Sequence, residues 1–211
     1  MTPNLTLYTN PMSRGRMARW MLEEVGEPYR VERLDYGTSM KSDEYLAINP
    51  MGKVPSLVHG GAVITETAAI CAYLADAFPG AGLAPAPSDP ARGAYYRWLF
   101  FTAGPFEAAV TNRALGFSVP PEREMMAGYG NFSRVFDVLE AAVSQRDYLV
   151  GERFSAADVY VGSQIGFGLM FGSIEKRPGF EAYFARVSAR EAYRRAAALD
   201  DAEGAAQSEH G

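Results

Sequence analysis

Cysteine and histidine are scarce in this sequence. Its 211 residues include one cysteine, Cys71, and two histidines, His59 beside the Gly60-Gly61 turn and His210 near the end of the chain. A single cysteine excludes an intrachain disulfide, a CxxC redox pair and a thiolate metal cluster, and it favours a reducing compartment. Two separated histidines offer neither a catalytic triad nor a metal-binding set. We therefore expect no bound metal.

Excess basic charge and long apolar runs are also missing. The chain has 20 Lys and Arg against 25 Asp and Glu, a formal net charge of −5. It therefore lacks the positive field that drives binding to nucleic acid or anionic membranes. Residues 1–8 do not read as a signal peptide, and no later run approaches the roughly 18 apolar residues of a membrane span. These features predict a soluble, cytoplasmic protein whose partner is a small molecule.

The sequence does contain enough apolar material for a core, with 48% hydrophobic and 12% aromatic residues. Over residues 1–79 the apolar pattern switches between the periods of strands and helices. The predicted elements are a strand at 5–8, a helix from Ser13 to Gly26, a strand at 29–34, a short helix at 43–48, strands at 54–58 and 62–65, and a helix at 67–78. This βαβαββα order, with a parallel first pair of strands, is typical of an α/β domain.

A stretch rich in proline and glycine follows, and we predict a linker at residues 80–90. Beyond it the strand pattern disappears. The predicted helices span residues 91–115, 122–144, 155–170, 180–188 and 191–199. The small, polar residues 200–211 are expected to fray. The prediction is therefore two domains, residues 1–79 and an all-α helical bundle at 91–211.

Several local motifs accompany this order of elements. They are Leu5-Thr6-Leu7-Tyr8 with Ser13-Arg14-Gly15-Arg16, Asn49-Pro50-Met51-Gly52-Lys53-Val54-Pro55, Ile64-Thr65-Glu66-Thr67-Ala68-Ala69-Ile70, and Phe154-Ser155-Ala156-Ala157-Asp158. Together they resemble the cytosolic glutathione transferase family, in particular its bacterial, serine-type or theta- and zeta-like classes, over nearly the whole chain. The last motif resembles the family's capping box, in which Ser155 caps a central helix and Asp158 returns a bond.

The resemblance implies a fold, an activity and partners. The first domain would be thioredoxin-like and would bind glutathione as a co-substrate. The helical domain would form the pocket for a small apolar electrophile, and the enzyme would be a homodimer, with the helices at 67–77 and after Pro90 near its two-fold axis. Conjugation would join the glutathione sulfur to the electrophile.

Ser13 is the predicted thiol activator. Conjugation requires the thiolate, whereas a free thiol titrates near ~8.5. Because Ser13 lies between the first strand and the first helix, its hydroxyl and the first-turn N–H groups would point into the same space. Ser13 is equally typical of a simple N-cap. The resemblance implies an alternative, Tyr8, since a tyrosine at the end of the first strand activates the thiol in other classes. It also places Arg14 where its charge would stabilise a thiolate.

The other glutathione contacts are implied by the resemblance. Val54-Pro55 resembles the family's cis-proline pair, whose first residue offers its backbone to the cysteinyl peptide of glutathione. Glu66 would accept the γ-glutamyl ammonium, and the helix N-terminus at Glu66-Thr67 would bind the γ-glutamyl carboxylate. Lys53 and Lys41 border the glycyl end of the family's site and would meet that carboxylate.

The pocket for the second substrate is expected beside the loop after the first strand and the helix after the linker. The candidates are Met12, Phe101, Phe106, Arg113 and Phe117. Cys71 lies on an Ala/Ile face of the helix at 67–78, and a buried, unreactive thiol is expected there.

Several functions remain open from the sequence. A transferase is favoured, but a glutathione-binding protein without turnover would keep the same binding motifs. A glutathione-dependent peroxidase or dehalogenase would use the same thiolate. A disulfide reductase is disfavoured because residues 1–70 contain no cysteine. The sequence identifies no particular electrophile.

Overall fold

The computed structural model describes residues 4–208, and their side chains through residue 205. The chain forms two compact units. The first contains the residues up to Leu83 together with those from Ala189 onward, and the second contains Ala84–Ser188. The first unit is therefore discontinuous in sequence. Within residues 4–208, each helix is too short or too polar to span a bilayer.

A four-stranded sheet organises the first unit. Its strands are β1 (Leu5–Thr9), β2 (Tyr29–Arg33), β3 (Ser56–His59) and β4 (Ala62–Thr65), in the order β2-β1-β3-β4. β1 pairs in parallel with β2 and antiparallel with β3, and β3 pairs antiparallel with β4. β1 is a central strand with Leu5 and Leu7 buried. The predicted parallel first pair and the hairpin are confirmed.

Helices of the first unit follow the predicted order. They are α1 (Gly15–Val25), α2 (Asp43–Leu46) and α3 (Thr67–Ala77). In α1, Met17, Trp20 and Met21 recur at helical spacing and are buried. The helix ends at Gly26, whose φ of 79° lets its N–H reach the carbonyl of Leu22. The predicted βαβαββα domain is confirmed as thioredoxin-like.

The C-terminal helix differs from the prediction. α9 runs from Glu191 to Ser208, packs on α1 and belongs to the first unit. The sequence predicts a helix only at 191–199, places residues 191–211 in the helical domain and predicts fraying at 200–211, whereas residues 200–208 are helical. Asp200 is 0% exposed and pairs with Arg19 of α1 at 3.1 Å. The acidic residues of this tail form ion pairs with arginines some 180 positions earlier in the chain. The polar composition of residues 200–211 therefore wrongly predicted fraying, because it does not contain these long-range partners. His210 lies outside the described residues.

The second unit is helical throughout its regular structure, as predicted. Its helices are α4 (Ala91–Phe101), α5 (Glu107–Ala114), α6 (Phe132–Gln145), α7 (Ala156–Phe171) and α8 (Pro178–Ser188). The predicted single helix at 91–115 is divided by a π-helical segment at Thr102–Phe106 that contains Pro105. α6 begins ten residues later than residue 122, because Pro121 and the residues to Met126 form a 3-10 turn and Gly130 has a φ of 68°.

Asp158 joins the start of α7 to its surroundings. One carboxylate oxygen accepts bonds from the Ser155 N–H and hydroxyl, both at 2.9 Å. The other accepts from the Leu149 N–H and the Tyr183 hydroxyl, both at 2.8 Å. The predicted return bond from Asp158 to its N-cap residue is confirmed, and the same carboxylate also fixes α8.

Candidate functional site

Three chain segments meet at one edge of the sheet. In the strand register, Tyr8 of β1 lies opposite Ser56 of β3, and Ser56 lies opposite Thr65 of β4. The loop at residues 10–14 follows β1, Val54-Pro55 precedes β3, and Glu66 follows β4. Because neighbouring strands are about 4.8 Å apart, these segments lie within about 10 Å across the sheet. We call this place the sheet-edge site.

The loop at residues 10–14 is held by Asn10, which is 1% exposed. The Asn10 amide donates to the Leu34 carbonyl at 2.7 Å, and its side-chain oxygen accepts from the Met12 N–H at 2.9 Å. Its backbone carbonyl accepts from the Ser13 N–H at 3.0 Å. Asn10 is not among the site residues predicted from the sequence. Its Asn-Pro dipeptide signalled a turn, but the pattern could not show that the side chain organises it.

Ser13 is 8% exposed, and its hydroxyl already has partners. It donates to the Asn10 carbonyl at 2.6 Å and accepts from the Gly15 N–H at 2.9 Å. The N–H groups of Arg16 and Met17 also bond within the loop, to the carbonyls of Ser13 and Arg14. Hence the first-turn donors of α1 are occupied, and the open helix N-terminus expected beside Ser13 is not found. Arg14 is exposed at the N-cap position.

Tyr8 lies on the other face of β1. Side chains alternate along a strand, and Thr9 contacts the start of α1, where a Cβ on Gly15 would overlap the Thr9 hydroxyl oxygen. Tyr8 therefore points away from α1, and its ring lies 5.6 Å from that of Tyr45 in α2. Within the described residues its hydroxyl makes no hydrogen bond. The Tyr8 ring thus packs toward α2 and not beneath α1.

The Val54–Pro55 peptide is cis, as predicted. A buried polar network holds the backbone on either side of it. The Tyr45 hydroxyl and the Asn49 amide both donate to the Lys53 carbonyl, at 2.6 and 2.8 Å, and both lie within 3.2 Å of the Ser56 hydroxyl. Val54 is half-exposed, and its N–H and C=O have no hydrogen-bond partner within residues 4–208. Tyr45 and Asn49 were not predicted.

The two candidate lysines differ. Lys41 donates from Nζ to the Gly52 carbonyl at 2.8 Å, so its ammonium is already held by the loop before β3. Gly52 has a φ of 56°, and a Cβ there would approach the Lys41 nitrogen at 2.8 Å and the Met40 carbonyl at 2.9 Å. Lys53 is exposed.

Glu66 has an unusual backbone at the start of α3. Its φ of 65° and ψ of 119° make it the one residue other than glycine with positive φ among the described residues. Such a conformation costs on the order of 1–3 kcal/mol and is found most often at functional sites. The Glu66 side chain is exposed and does not cap the helix. The first N–H groups of α3 therefore donate no hydrogen bond to the Glu66 carboxylate.

The predicted pocket residues have different environments. Met12 lies in the first unit and is 70% exposed; the other four lie in the second. Phe117 is exposed, Phe101 contacts Trp98, and the Arg113 guanidinium lies over the Phe132 ring and pairs with Glu175 at 3.4 Å. Phe106 is 2% exposed and packs on Phe136. Its ring belongs to the core of the second unit, so its assignment to a pocket is corrected.

Cys71 is buried in α3, as expected. Burial raises the pKa of its thiol to about 12. The thiolate is therefore negligible near neutral pH. The described residues contain no cluster of three His, Cys, Asp or Glu side chains that could bind a metal ion.

Comparison with known proteins identifies the family. Residues 3–76 match the model of the glutathione S-transferase N-terminal domain, and residues 100–191 match that of the glutathione S-transferase C-terminal domain. A solved structure of a glutathione transferase from Methylococcus capsulatus is 30% identical, with a TM-score of 0.76, covering 93% of this chain and 98% of that one. The chain belongs to the glutathione S-transferase family.

Other glutathione S-transferases agree with this assignment. Glutathione S-transferase hmp2 of Hypomyces subiculosus is 28% identical over 92% of this chain and 98% of its own length. A sphingomonad glutathione S-transferase solved in complex with glutathione is 26% identical, with a TM-score of 0.77, over 93% of this chain and 98% of that one. The family and fold predicted from the motifs are therefore confirmed.

Proposed function

We propose that this glutathione S-transferase binds glutathione at the sheet-edge site, ionises its thiol and conjugates it to a small apolar electrophile. The observation that carries the proposal is the strand register, which aligns Val54-Pro55, Glu66 and the loop at residues 10–14 along one edge. An extended tripeptide spans about 10 Å. This matches the width of the site across β1, β3 and β4.

The middle of glutathione would bind as an added strand. Val54 is half-exposed, and its N–H and C=O have no partner within the described residues. They offer one donor and one acceptor to the cysteinyl peptide, and the network of Tyr45 and Asn49 keeps them in place. Lys53 would neutralise the glycyl carboxylate. Lys41 would do so with the N–H donors that its bond to the Gly52 carbonyl leaves available.

The γ-glutamyl group would bind at the start of α3. Uncapped N–H groups and the positive end of the helix dipole favour its carboxylate. Exposed Glu66 supplies a negative charge for its ammonium. The positive φ of Glu66 supports this role, because strain of this kind persists where the geometry serves binding.

Thiol activation would fall to the loop at residues 10–14. Lowering the thiol pKa by about two units needs roughly 2.7 kcal/mol. Ser13 can donate to the sulfur if its hydroxyl rotates away from the Asn10 carbonyl, a loss of about 0.5–1.5 kcal/mol. The Asn10 carbonyl would keep the Ser13 N–H bond. A hydrogen bond to a thiolate is charge-assisted and stronger than the one lost. Tyr8 is the alternative donor, and the positive charge of Arg14 would favour the anion.

In the reaction, the thiolate sulfur attacks the electrophilic carbon. A carbon–sulfur bond forms as the leaving group departs with its electron pair, or as an epoxide ring opens. Exposed Met12, beside Ser13, would contribute apolar surface for the second substrate. We also propose a homodimer, which a sedimentation measurement would test.

A second candidate is a glutathione-binding protein without turnover. The occupied hydroxyl of Ser13 favours it, since an activator that stayed bound to Asn10 would leave the sulfur protonated. Retention on glutathione resin would not distinguish the two functions, because both keep the binding contacts.

Turnover of a chromogenic aryl halide tests the proposal, with Ser13→Ala and Tyr8→Phe compared at equal glutathione occupancy. We expect Ser13→Ala to lower kcat about 100-fold while glutathione still binds, since about 2.7 kcal/mol of activation is lost. Tyr8→Phe should stay within about threefold of wild type. Dependence on Tyr8 alone would transfer the role. No wild-type turnover with aryl halides, epoxides or peroxides would favour the binding protein.

A further inference from the structure

α9 runs antiparallel to α1 and ends beside the loop at residues 10–14. Its first turn and the preceding residue are tied to the far end of α1 by Arg190 with Glu24, at 2.6 Å, and by Arg195 with Glu23, at 2.9 Å. Its last turns reach the near end of α1, where a Cβ on Gly204 would lie 4.0 Å from Pro11. The helix thus connects a distal anchor to the thiol-activating loop.

Arg16 links α9 to this loop. One of its terminal nitrogens donates to the Pro11 carbonyl at 3.3 Å, and the other donates to the Asp201 carboxylate at 2.6 Å. The Pro11 carbonyl belongs to the peptide that leads into Met12, one residue before Ser13. Held at both terminal nitrogens, the guanidinium has one orientation. Without Asp201, the long side chain would regain rotamer freedom and the Pro11 bond would weaken.

The other hydrogen bonds of the loop do not involve the Pro11 carbonyl, which accepts from Arg16. Asn10 bonds Leu34 on one side, and the Tyr36 hydroxyl donates to the Met12 carbonyl at 3.3 Å on the other. Pro11 itself has no N–H to donate. The loop therefore has two supports. One is the set of bonds made by Asn10, and the other is a clamp formed by the Pro11 carbonyl, Arg16 and Asp201, of which Asp201 belongs to the C-terminal helix.

We propose that Asp201, acting through Arg16, is a positioning residue that sets the loop at residues 10–14 for thiol activation. This inference rests on the proposed function. Asp201 does not belong to the sheet-edge site, so it acts on the loop and not on glutathione. A misplacement of about 1 Å at a reacting group can cost a factor of about 100 in rate, so a loosened clamp has a measurable effect.

The test compares Asp201→Asn with wild type in the complex with glutathione. The ultraviolet absorption of the thiolate gives the pKa of the bound thiol, and kcat/KM is measured against pH. We expect this pKa to rise by about one unit, with an about tenfold loss of kcat/KM below it. The KM for glutathione should stay within about twofold, and Asp201→Glu should restore most of the loss.

The direction of the shift separates positioning from simple charge. Removing a carboxylate makes the neighbourhood more positive, which by itself would lower the pKa of a thiol. Glu191→Gln is the matched control, since it removes an exposed carboxylate that pairs with Arg195 of the same helix at 2.9 Å, distant from the loop. It should leave the thiol pKa and kcat/KM unchanged.

Two outcomes would overturn the inference. If Asp201→Asn matches Glu191→Gln, or lowers the thiol pKa, Asp201 does not position the loop while the proposed function stands. If wild-type protein binds glutathione without forming the thiolate, both the function and the inference fail. Thermal unfolding of both variants checks that α9 remains folded; Asp201 is 69% exposed in its pair, so we expect nearly equal midpoints.

Discussion

Replacement of Asp158 by alanine should be among the most destabilising single changes in the second unit. The substitution removes the acceptor for the N–H groups of Leu149 and Ser155 and for the Tyr183 hydroxyl, all of which are buried. Each buried donor left without a partner costs about 1–3 kcal/mol. Burial raises the pKa of the Asp158 carboxyl although four donors favour its charged form, so desolvation offsets part of the gain.

The expected loss is therefore about 3–5 kcal/mol, the range for breaking a buried charged network. Folded proteins have only about 5–15 kcal/mol of stability in total. For a chain of this size, the loss corresponds to a fall of about 6–20 °C in Tm. Urea unfolding followed by tryptophan fluorescence would measure the change. Asp158→Asn should lie between alanine and wild type, since its amide keeps one acceptor oxygen but turns an NH2 group toward donors.

Asp137→Ala is the control within the same unit. Asp137 is 66% exposed in its pair with Arg177 at 2.8 Å, and such surface pairs contribute about 0–1 kcal/mol. The reasoning would be refuted if Asp158→Ala cost no more than Asp137→Ala, because four short bonds to a buried carboxylate would then have no net value.

Two further predictions concern the first unit. Burial raises the pKa of Asp200 to about 6, with Arg19 opposing and nearby Glu203 and Asp201 reinforcing the rise. The native state then holds this proton more tightly than the unfolded chain does. The contribution of Asp200 to the free energy of unfolding is therefore complete below pH ~4 and is lost as pH rises through ~6, a change of roughly 3 kcal/mol. The difference in unfolding free energy between wild type and Asp200→Asn should fall by that amount from pH 4 to pH 7. A difference that does not change with pH would contradict the assignment. Gly52→Ala should cost about 2 kcal/mol or more, since the new Cβ meets the Met40 carbonyl at 2.9 Å with φ at 56°. Gly37→Ala, with a φ of 76° and open space, should cost about 1 kcal/mol, and equal losses in thermal unfolding would show that the contact has no effect.

Local patterns predicted the first unit well. The alternation around Leu5 and Leu7, the helical spacing of Met17 and Trp20, and the stop at Gly26 depend on neighbours in sequence, and each element formed near its predicted place. The motif resemblance added the cis peptide before Pro55, which no periodicity contains.

Local sequence patterns could not predict the hydrogen-bond and ion-pair partners of polar side chains. The Ser13 hydroxyl could donate to a substrate or to the turn, and only the folded loop shows that it donates to Asn10. The lysine at position 41 likewise bonds its own chain. The extension of α9 beyond residue 199 and its place in the first unit were missed because its stabilising contacts join residues such as Arg16 and Asp201, which are 185 positions apart.

The discontinuity of the first unit has a consequence for synthesis on the ribosome. The second unit, Ala84–Ser188, is continuous and complete before α9 is translated, whereas α1 must wait for Arg190, Asp200 and Asp201. N-terminal domains generally fold first during synthesis. Here that order is reversed at the last step. The carboxylates of Asp200 and Glu203 that pair with Arg19 reach it only after α9 has left the exit tunnel, so the unit begun first is finished last.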